Sequence, residues 1–402
     1  MASASSRRLI LAAAGAALLV RLAFGFFYWT GKPLTHDERE YLGLAASLAS
    51  GQGFRYPEAA DAGTSPRFGR APGYPAFLSL FRPAADAADV PSAIKAAQAA
   101  LVAVAVLLLA AIARRAAGDE AAVAAAWIAA FYPPLVWISA YALSEALYVP
   151  LALGCTILLA RAERPGAAFA AGVVAGVAIL VRPATLVFMP LAALWFLRQR
   201  RLALAVALTA GTLLAVLPWT LRNVQTHGRL VLVASEGGVT FWTGNHPLAR
   251  GEGDMAANPE LKAAEIAFRT AQGPLTPEEL EPLYYRDALR HIADRPGWWL
   301  TLVARKAFYT VVPAGPSYTL HSTKYLLATV IPYAMLVPLA LAGFVWIARH
   351  GRPPVFLYLL GASVVLTSLI FFPQERFRIP VIDPLVIVGA GAALAALRSE
   401  RR

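Results

Sequence analysis

The sequence predicts an all-α, polytopic integral membrane protein with about ten transmembrane helices, and three observations carry that prediction. Of its 402 residues 58% are hydrophobic and only 15% charged, and the mean hydropathy of +0.56 lies far from that of soluble chains. Its apolar runs approach the roughly 20 residues needed to cross about 30 Å of hydrocarbon. Its formal net charge of +12 is not spread as in a nucleic-acid-binding surface, because the basic residues flank the apolar runs.

Candidate spans fall at roughly 9–29, 91–113, 120–140, 144–160, 167–181, 184–197, 202–221, 325–347, 355–373 and 381–397. The first follows Arg7 and Arg8, as a secretory signal would, but it runs on through Phe24, Phe26, Phe27, Tyr28 and Trp29 with no small-residue cleavage region after it, so it reads as a span. The pair around Arg182-Pro183 is short in each half and fits either two crossings or a broken hairpin lining a cavity. Arg114/Arg115, Arg161/Arg164, Arg198/Arg200/Arg201, Arg349/Arg352 and Arg398/Arg401/Arg402 fall at alternate loops. The positive-inside rule places these, and both termini, in the cytoplasm. Loops 30–90, 134–143, 222–324 and 374–380 then face outward. Residues 298–312, with Pro296 ahead and Trp298/Trp299 at the start, read as an interfacial helix before the eighth span, because Arg305 and Lys306 argue against an eleventh crossing. The chain divides into an N-terminal membrane module over 1–221, an outer region over 222–324 and C-terminal helices over 325–402.

The outward loops hold the polar chemistry. Thr35-His36-Asp37-Glu38 opens a helix whose apolar face is Tyr41, Leu44, Ala45 and Leu48, stopped at Gly51-Gln52-Gly53. Thr35 with Glu38 three residues on is a capping box, which accounts for Glu38 structurally. The cap does not need Asp37, and the helix N-terminus favours its anion, so Asp37 is the candidate to orient or deprotonate an incoming hydroxyl. Arg70-Ala71-Pro72-Gly73-Tyr74-Pro75-Ala76-Phe77-Leu78 reads as a rigid turn feeding an interfacial helix, with Tyr74 and Phe77 at headgroup depth. Arg70 reads as a ligand of either a lipid headgroup or a substrate phosphate.

Glu145, Arg182, Arg222, Arg376 and Arg378 lie in or near spans, where an ionisable group is costly enough to mark a functional candidate. Arg21 and Arg222 are close enough to span ends to snorkel. Several guanidiniums near one membrane face suit a phosphate, which they bind bidentately. In Gly244-Asn245-His246-Pro247 and the preceding Phe241-Trp242, Asn245 is a polar candidate and Trp242 a platform for a sugar ring. The segment from Arg222 to about Asp294, roughly 70 residues, is too small for a separate catalytic domain with its own core, which assigns the chemistry to the membrane body.

No Walker loop, HExxH, CxxC or Gly-x-Ser-x-Gly is present. His36, His227, His246, His291, His321 and His350 show no metal-ligand spacing, and the lone Cys155 excludes an intramolecular disulfide.

In their order along nearly the whole chain, these motifs resemble the GT-C superfamily of polytopic glycosyltransferases. The likeness is to bacterial relatives of the protein O-mannosyltransferases and of the aminoarabinose transferases that modify lipid A. The resemblance rests on Asp37-Glu38, Tyr41 with Ala45 and Gly51-Gln52-Gly53, Arg70 to Leu78, Leu143-Ser144-Glu145, Leu180-Val181-Arg182-Pro183, Pro218-Trp219 to Asn223, Gly244 to Pro247, and Arg376-Phe377-Arg378-Ile379-Pro380. It implies a sugar carried on a polyprenyl phosphate and an acceptor, whether lipid, glycan or protein, approaching from the non-cytoplasmic side. It also implies that Asp37 matches the catalytic acid of the first outer loop. An inverting displacement then needs one base and a phosphate clamp. Asp37 is the expected base, Glu38 or Glu145 orients the acceptor, and Arg182, Arg222, Arg376 and Arg378 are the clamp candidates. No cofactor is required, and a divalent metal is left open. The rival class, a transporter or flippase of a lipid-linked sugar, predicts inverted repeats that the sequence does not show.

Overall fold

A computed structural model describes residues 4–56, 69–313, 315–320 and 322–399, so the readings at His321, Arg401, Arg402 and residues 57–68 of the first outer loop fall outside it. The described residues contain no strand. From the N-terminus, α1 (Ala4–Ala23) continues into one π-helical turn, Phe24–Tyr28. Then follow α2 (His36–Ala49), α3 (Gly73–Ser79), α4 (Ser92–Phe131), α5 (Pro133–Trp137), α6 (Glu145–Ala160), α7 (Pro165–Val181), α8 (Phe188–Arg198) and α9 (Leu202–His227). The outer region supplies α10 (Gly237–Asn245), α11 (Pro259–Ala271), α12 (Pro277–Asp294) and α13 (Pro296–Val311). The chain closes with α14 (Thr323–His350), α15 (Val355–Ile370), α16 (Glu375–Arg378) and α17 (Ile382–Ser399).

Among the described residues, five helices are long and apolar enough to span a membrane, α1 with its π turn, α4, α9, α14 and α17, and four shorter apolar helices accompany them at 145–160, 165–181, 183–198 and 355–370. The backbone of α4 leaves helical geometry at Ala117 and Gly118, where Gly118 has φ +86°. This break divides α4 where two separate apolar runs meet in the sequence.

Arg21 does not snorkel. It is 1% exposed, and its guanidinium donates to the carbonyls of Ala17, Ala129, Ala130 and Leu135 at 2.9–3.1 Å. The reason is local. Ala129 and Ala130 would normally accept from the amides four residues on, but those positions are Pro133 and Pro134, which have no N–H. Arg21 satisfies the carbonyls that the prolines orphan, and so joins α1 to the end of α4.

Tyr74 is likewise fully buried rather than seated among headgroups. Its hydroxyl donates to Gln98 Oε1 at 2.7 Å, and Gln98 in turn donates to the carbonyls of Ser139 and Tyr141. Gly73 allows the approach that seats α3: a Cβ there would lie 2.9 Å from the Leu180 carbonyl, at the end of α7. The Arg70 segment is thereby held beside Arg182.

The outer region has a small apolar core of its own, in contrast to the expectation from its size. Val239, Trp242, Leu261, Leu280, Tyr284 and Ala288 pack together. Helix α10 lies flush on α12 because Gly238 has no side chain; a Cβ would meet the Glu281 carbonyl oxygen at 2.4 Å.

Candidate active site

The helix α2 begins as its sequence predicts. Thr35 Oγ1 accepts from the Glu38 amide, and Glu38 Oε2 accepts from the Thr35 amide at 2.8 Å. The other Glu38 oxygen accepts from the Ala142 amide at 2.9 Å. Glu38 is 2% exposed, and its carboxylate ties the head of α2 to the segment that leads into Ser144 and Glu145.

Asp37, one residue earlier, faces elsewhere. Its Oδ1 lies 2.7 Å from Arg70 Nη2 and its Oδ2 2.5 Å from Arg376 Nη2. Arg70 is the hub of a larger constellation. Its Nε donates to Glu40 Oε2 at 2.8 Å, its Nη2 also reaches that oxygen, and its Nη1 donates to Glu236 Oε2 at 3.0 Å. Its guanidinium lies over the Tyr41 ring, 5.3 Å from the centroid. Glu40 is a helical neighbour of Asp37 at i,i+3 and shares its face. Glu236 comes from the outer region, delivered by Ser235, whose amide donates to the Gly69 carbonyl at 2.9 Å while its hydroxyl accepts from the Gly69 amide at 2.7 Å. Positions 69–70 and 235–236 are therefore pinned side by side.

Arg182 completes the group. As the residue ending α7, with extended backbone, it pairs with Glu145 at 2.7 Å and donates to Ser144 Oγ at 3.1 Å. The Phe377 ring lies 5.1 Å from the Arg182 guanidinium and 5.4 Å from that of Arg376, so one aromatic ring contacts both cations. Arg376 is also steadied by Gln374, which accepts from its Nε at 3.2 Å.

Charge balance in this cluster decides its chemistry. Burial pulls the Asp37 carboxyl upward, but Arg376 and Arg70 outweigh burial and hold it well below the usual carboxylate range. Burial raises Glu236, and the field of Arg70 only partly opposes it. Glu40 falls below its ordinary value because His36 and Arg70 outweigh burial. Two guanidiniums that share a carboxylate can exchange that partner for a phosphate, since both anions accept the same paired N–H geometry.

Of the residues singled out in the sequence, the structure brings Asp37, Glu145, Arg70, Arg182 and Arg376 together. It places the others apart. Glu38 serves the cap. Arg378 donates to Asp383 Oδ1 at 2.7 Å and lies 3.8 Å from the Tyr333 ring centroid. Asp383 also accepts from Tyr132, which makes this a link between α17 and α4. Arg222 stacks on Trp219 at 4.8 Å. Trp242 is 1% exposed in the outer core, with its indole N–H on Asp287 Oδ2, and so offers no face to a sugar. Asn245 is fully buried; it donates to the Ile370 carbonyl and accepts from Trp299 and Lys306, fastening α10 to α13 and α15. Sequence reasoning missed Glu40 and Glu236. The i,i+3 spacing from Asp37 was a usable signal for Glu40, whereas nothing local marks Glu236. Among the described residues no three His, Cys, Asp or Glu side chains are arranged to hold a metal ion.

The family described as dolichyl-phosphate-mannose-protein mannosyltransferase matches residues 70–221, from the hub arginine to within α9. No curated protein sequence matches the chain. Among solved structures, the Archaeoglobus fulgidus oligosaccharyltransferase in complex with zinc and sulfate aligns at a TM-score of 0.56 and 14% identity over 98% of this chain and 49% of that one. The same protein tethered to an acceptor peptide containing the NVT sequon aligns at 0.57 and 16% identity, over 99% and 50%. ArnT of Cupriavidus metallidurans bound to undecaprenyl phosphate aligns at 0.42 and 15% identity, over 99% and 79%. The chain thus spans about half the length of the oligosaccharyltransferase it matches. It is a polytopic membrane protein with the GT-C glycosyltransferase fold.

Proposed function

We propose that this protein is an inverting glycosyltransferase that takes a sugar from a polyprenyl-phosphate donor and passes it to an acceptor hydroxyl on the non-cytoplasmic side of the membrane. The observation that carries this reading is the Asp37 carboxylate held between Arg70 and Arg376, with Arg182 against the same Phe377 ring as Arg376. The match to a family described by a dolichyl-phosphate-mannose donor supports the donor class. The acceptor is a lipid, a glycan or a protein.

A lipid-phosphate sugar carries its own leaving group. Attack of the acceptor oxygen on the anomeric carbon forms the new glycosidic bond while the bond from that carbon to the phosphate oxygen breaks, and the electron pair leaves on the phosphate. Arg376 is the more exposed of the two arginines on Asp37, at 30% against 15% for Arg70, and is free to turn from Asp37 to that phosphate. Arg182, beside it, supplies the second contact. Arg70 stays with its three carboxylates as the fixed element.

The experiment uses the purified full-length protein in lipid nanodiscs. It is given tritiated polyprenyl-phosphate mannose, glucose or galactose, with membranes from cells lacking the gene as acceptor source. Label should move from donor to the acceptor fraction, and Arg376→Ala should cut turnover by about 10²-fold, the usual effect of losing one preorganised contact to developing charge. Absence of transfer from every donor would overturn the reading.

A further inference from the structure

Glycosyl transfer releases a proton from the acceptor hydroxyl, and some group has to receive it. Four carboxylates stand in the cluster, and their partners separate them. Both oxygens of Asp37 face guanidiniums, Oδ1 on Arg70 and Oδ2 on Arg376. Both oxygens of Glu40 are engaged, Oε2 by Arg70 and Oε1 by His36 Nε2 at 3.4 Å. Glu145 is 1% exposed behind Arg182. Glu236 differs on each count. Only its Oε2 is bound, by Arg70 Nη1, and its side chain is 32% exposed, the most open of the four.

We propose that Glu236 is the proton acceptor of the transfer, taking the acceptor hydroxyl's proton on Oε1, while Asp37 stays paired with Arg70. The inference rests on the glycosyltransferase reading above and adds a residue of the outer region to it. Its placement is rigid. Glu236 stands at the N-cap of α10, next to the Ser235–Gly69 pairing, and its Oε2 is anchored to the arginine that also anchors Asp37. The free oxygen is therefore fixed relative to the phosphate clamp, as a general base must be.

The electrostatics agree with the geometry. The charged and titratable neighbours of Glu236 are Arg70, Asp37, Glu40, Arg182, Tyr41, Tyr56 and Glu281. Burial raises its affinity for a proton against the pull of Arg70, whereas Asp37, under the pull of two arginines, holds a proton poorly. In the balanced step the acceptor O–H bond breaks, its electron pair forms the bond to the anomeric carbon, the proton goes to Glu236 Oε1, and the leaving phosphate carries away the electrons of the broken bond. The proton then passes to water as the acceptor product departs.

The test compares wild type with Glu236→Gln and Glu236→Ala in the nanodisc assay, using the same three tritiated donors. The amide of Glu236→Gln keeps an oxygen for Arg70 but cannot take a proton. Turnover should fall about 10²- to 10⁴-fold with the donor KM unchanged, and the acid limb of the wild-type pH profile should disappear. Formate should restore part of the activity of Glu236→Ala, because a small carboxylate can occupy the vacated space. Wild-type turnover in Glu236→Gln would overturn the proposal and leave the transferase reading standing. Loss without formate rescue, with a raised KM and an unchanged pH profile, would overturn it in favour of a purely structural tie to Arg70. Inert wild type with all three donors would overturn both readings.

Discussion

Asp37 and Glu38 are adjacent in the chain, yet a helix turns successive side chains about 100° apart, and that angle separates a site residue from a structural one. Glu38 has its oxygens on Thr35 and on the Ala142 amide. Glu38→Ala leaves that buried amide unpaired and should cost roughly 1–3 kcal/mol of stability, read as a lower midpoint of thermal unfolding in detergent. Asp37→Asn should show the opposite pattern, with transfer lowered and the unfolding midpoint near wild type, because Arg70 keeps Glu40 and Glu236 as counter-ions. Full transfer activity in Asp37→Asn would remove the residue from the mechanism. The capping box and the spare status of Asp37 were legible in four residues of sequence, since both follow from local helix geometry. The double ion pair was not, because its arginines lie 33 and 339 positions away.

Within the outer region, α10 and α12 meet through Gly238, and the contact brings Glu281 under cover. Burial raises its carboxyl to about 7, with the Gly238 amide and nearby acids as smaller influences. A raised folded-state pKa means that the folded protein binds the proton more tightly than the unfolded chain, so stability declines as pH climbs from the unfolded value near 4.5 toward and past 7. Glu281→Gln removes that decline. The variant should match wild type in thermal stability near pH 4.5 and exceed it by a margin that grows up to about pH 8; a constant difference across the range would show that Glu281 does not titrate with unfolding. This region is also where the sequence said least. Hydropathy marks long apolar runs, but a core of six residues spread from Val239 to Ala288 has no run to mark it. The aromatic pair Phe241-Trp242 therefore resembled an exposed platform when Trp242 was in fact packing inward.

Across the whole molecule the helices carry two chemically different ends. At one, six separate stretches of sequence bring Asp37, Arg70, Glu145, Arg182, Glu236 and Arg376 together. At the other, Arg115 donates to the Ala160 carbonyl, the Arg352 amide donates to the Ala116 carbonyl, and Arg114 pairs with Asp119. Three of the basic residues that the positive-inside rule reads as cytoplasmic, Arg114, Arg115 and Arg352, thus gather around the break in α4. The long apolar helices were legible because burial in lipid demands long apolar runs. The break at Gly118 and the short helices on either side of Arg182 were the hard cases, since apolar length alone does not distinguish a crossing from a re-entrant turn. Reporter fusions test the arrangement directly. Fusions after Arg201 and after Arg398 should read cytoplasmic, and a fusion at Gly253 should read external. A cytoplasmic reading at Gly253 would put Glu236 and Asp37 on opposite sides of the membrane, and the ion pairs that join them through Arg70 would then be impossible.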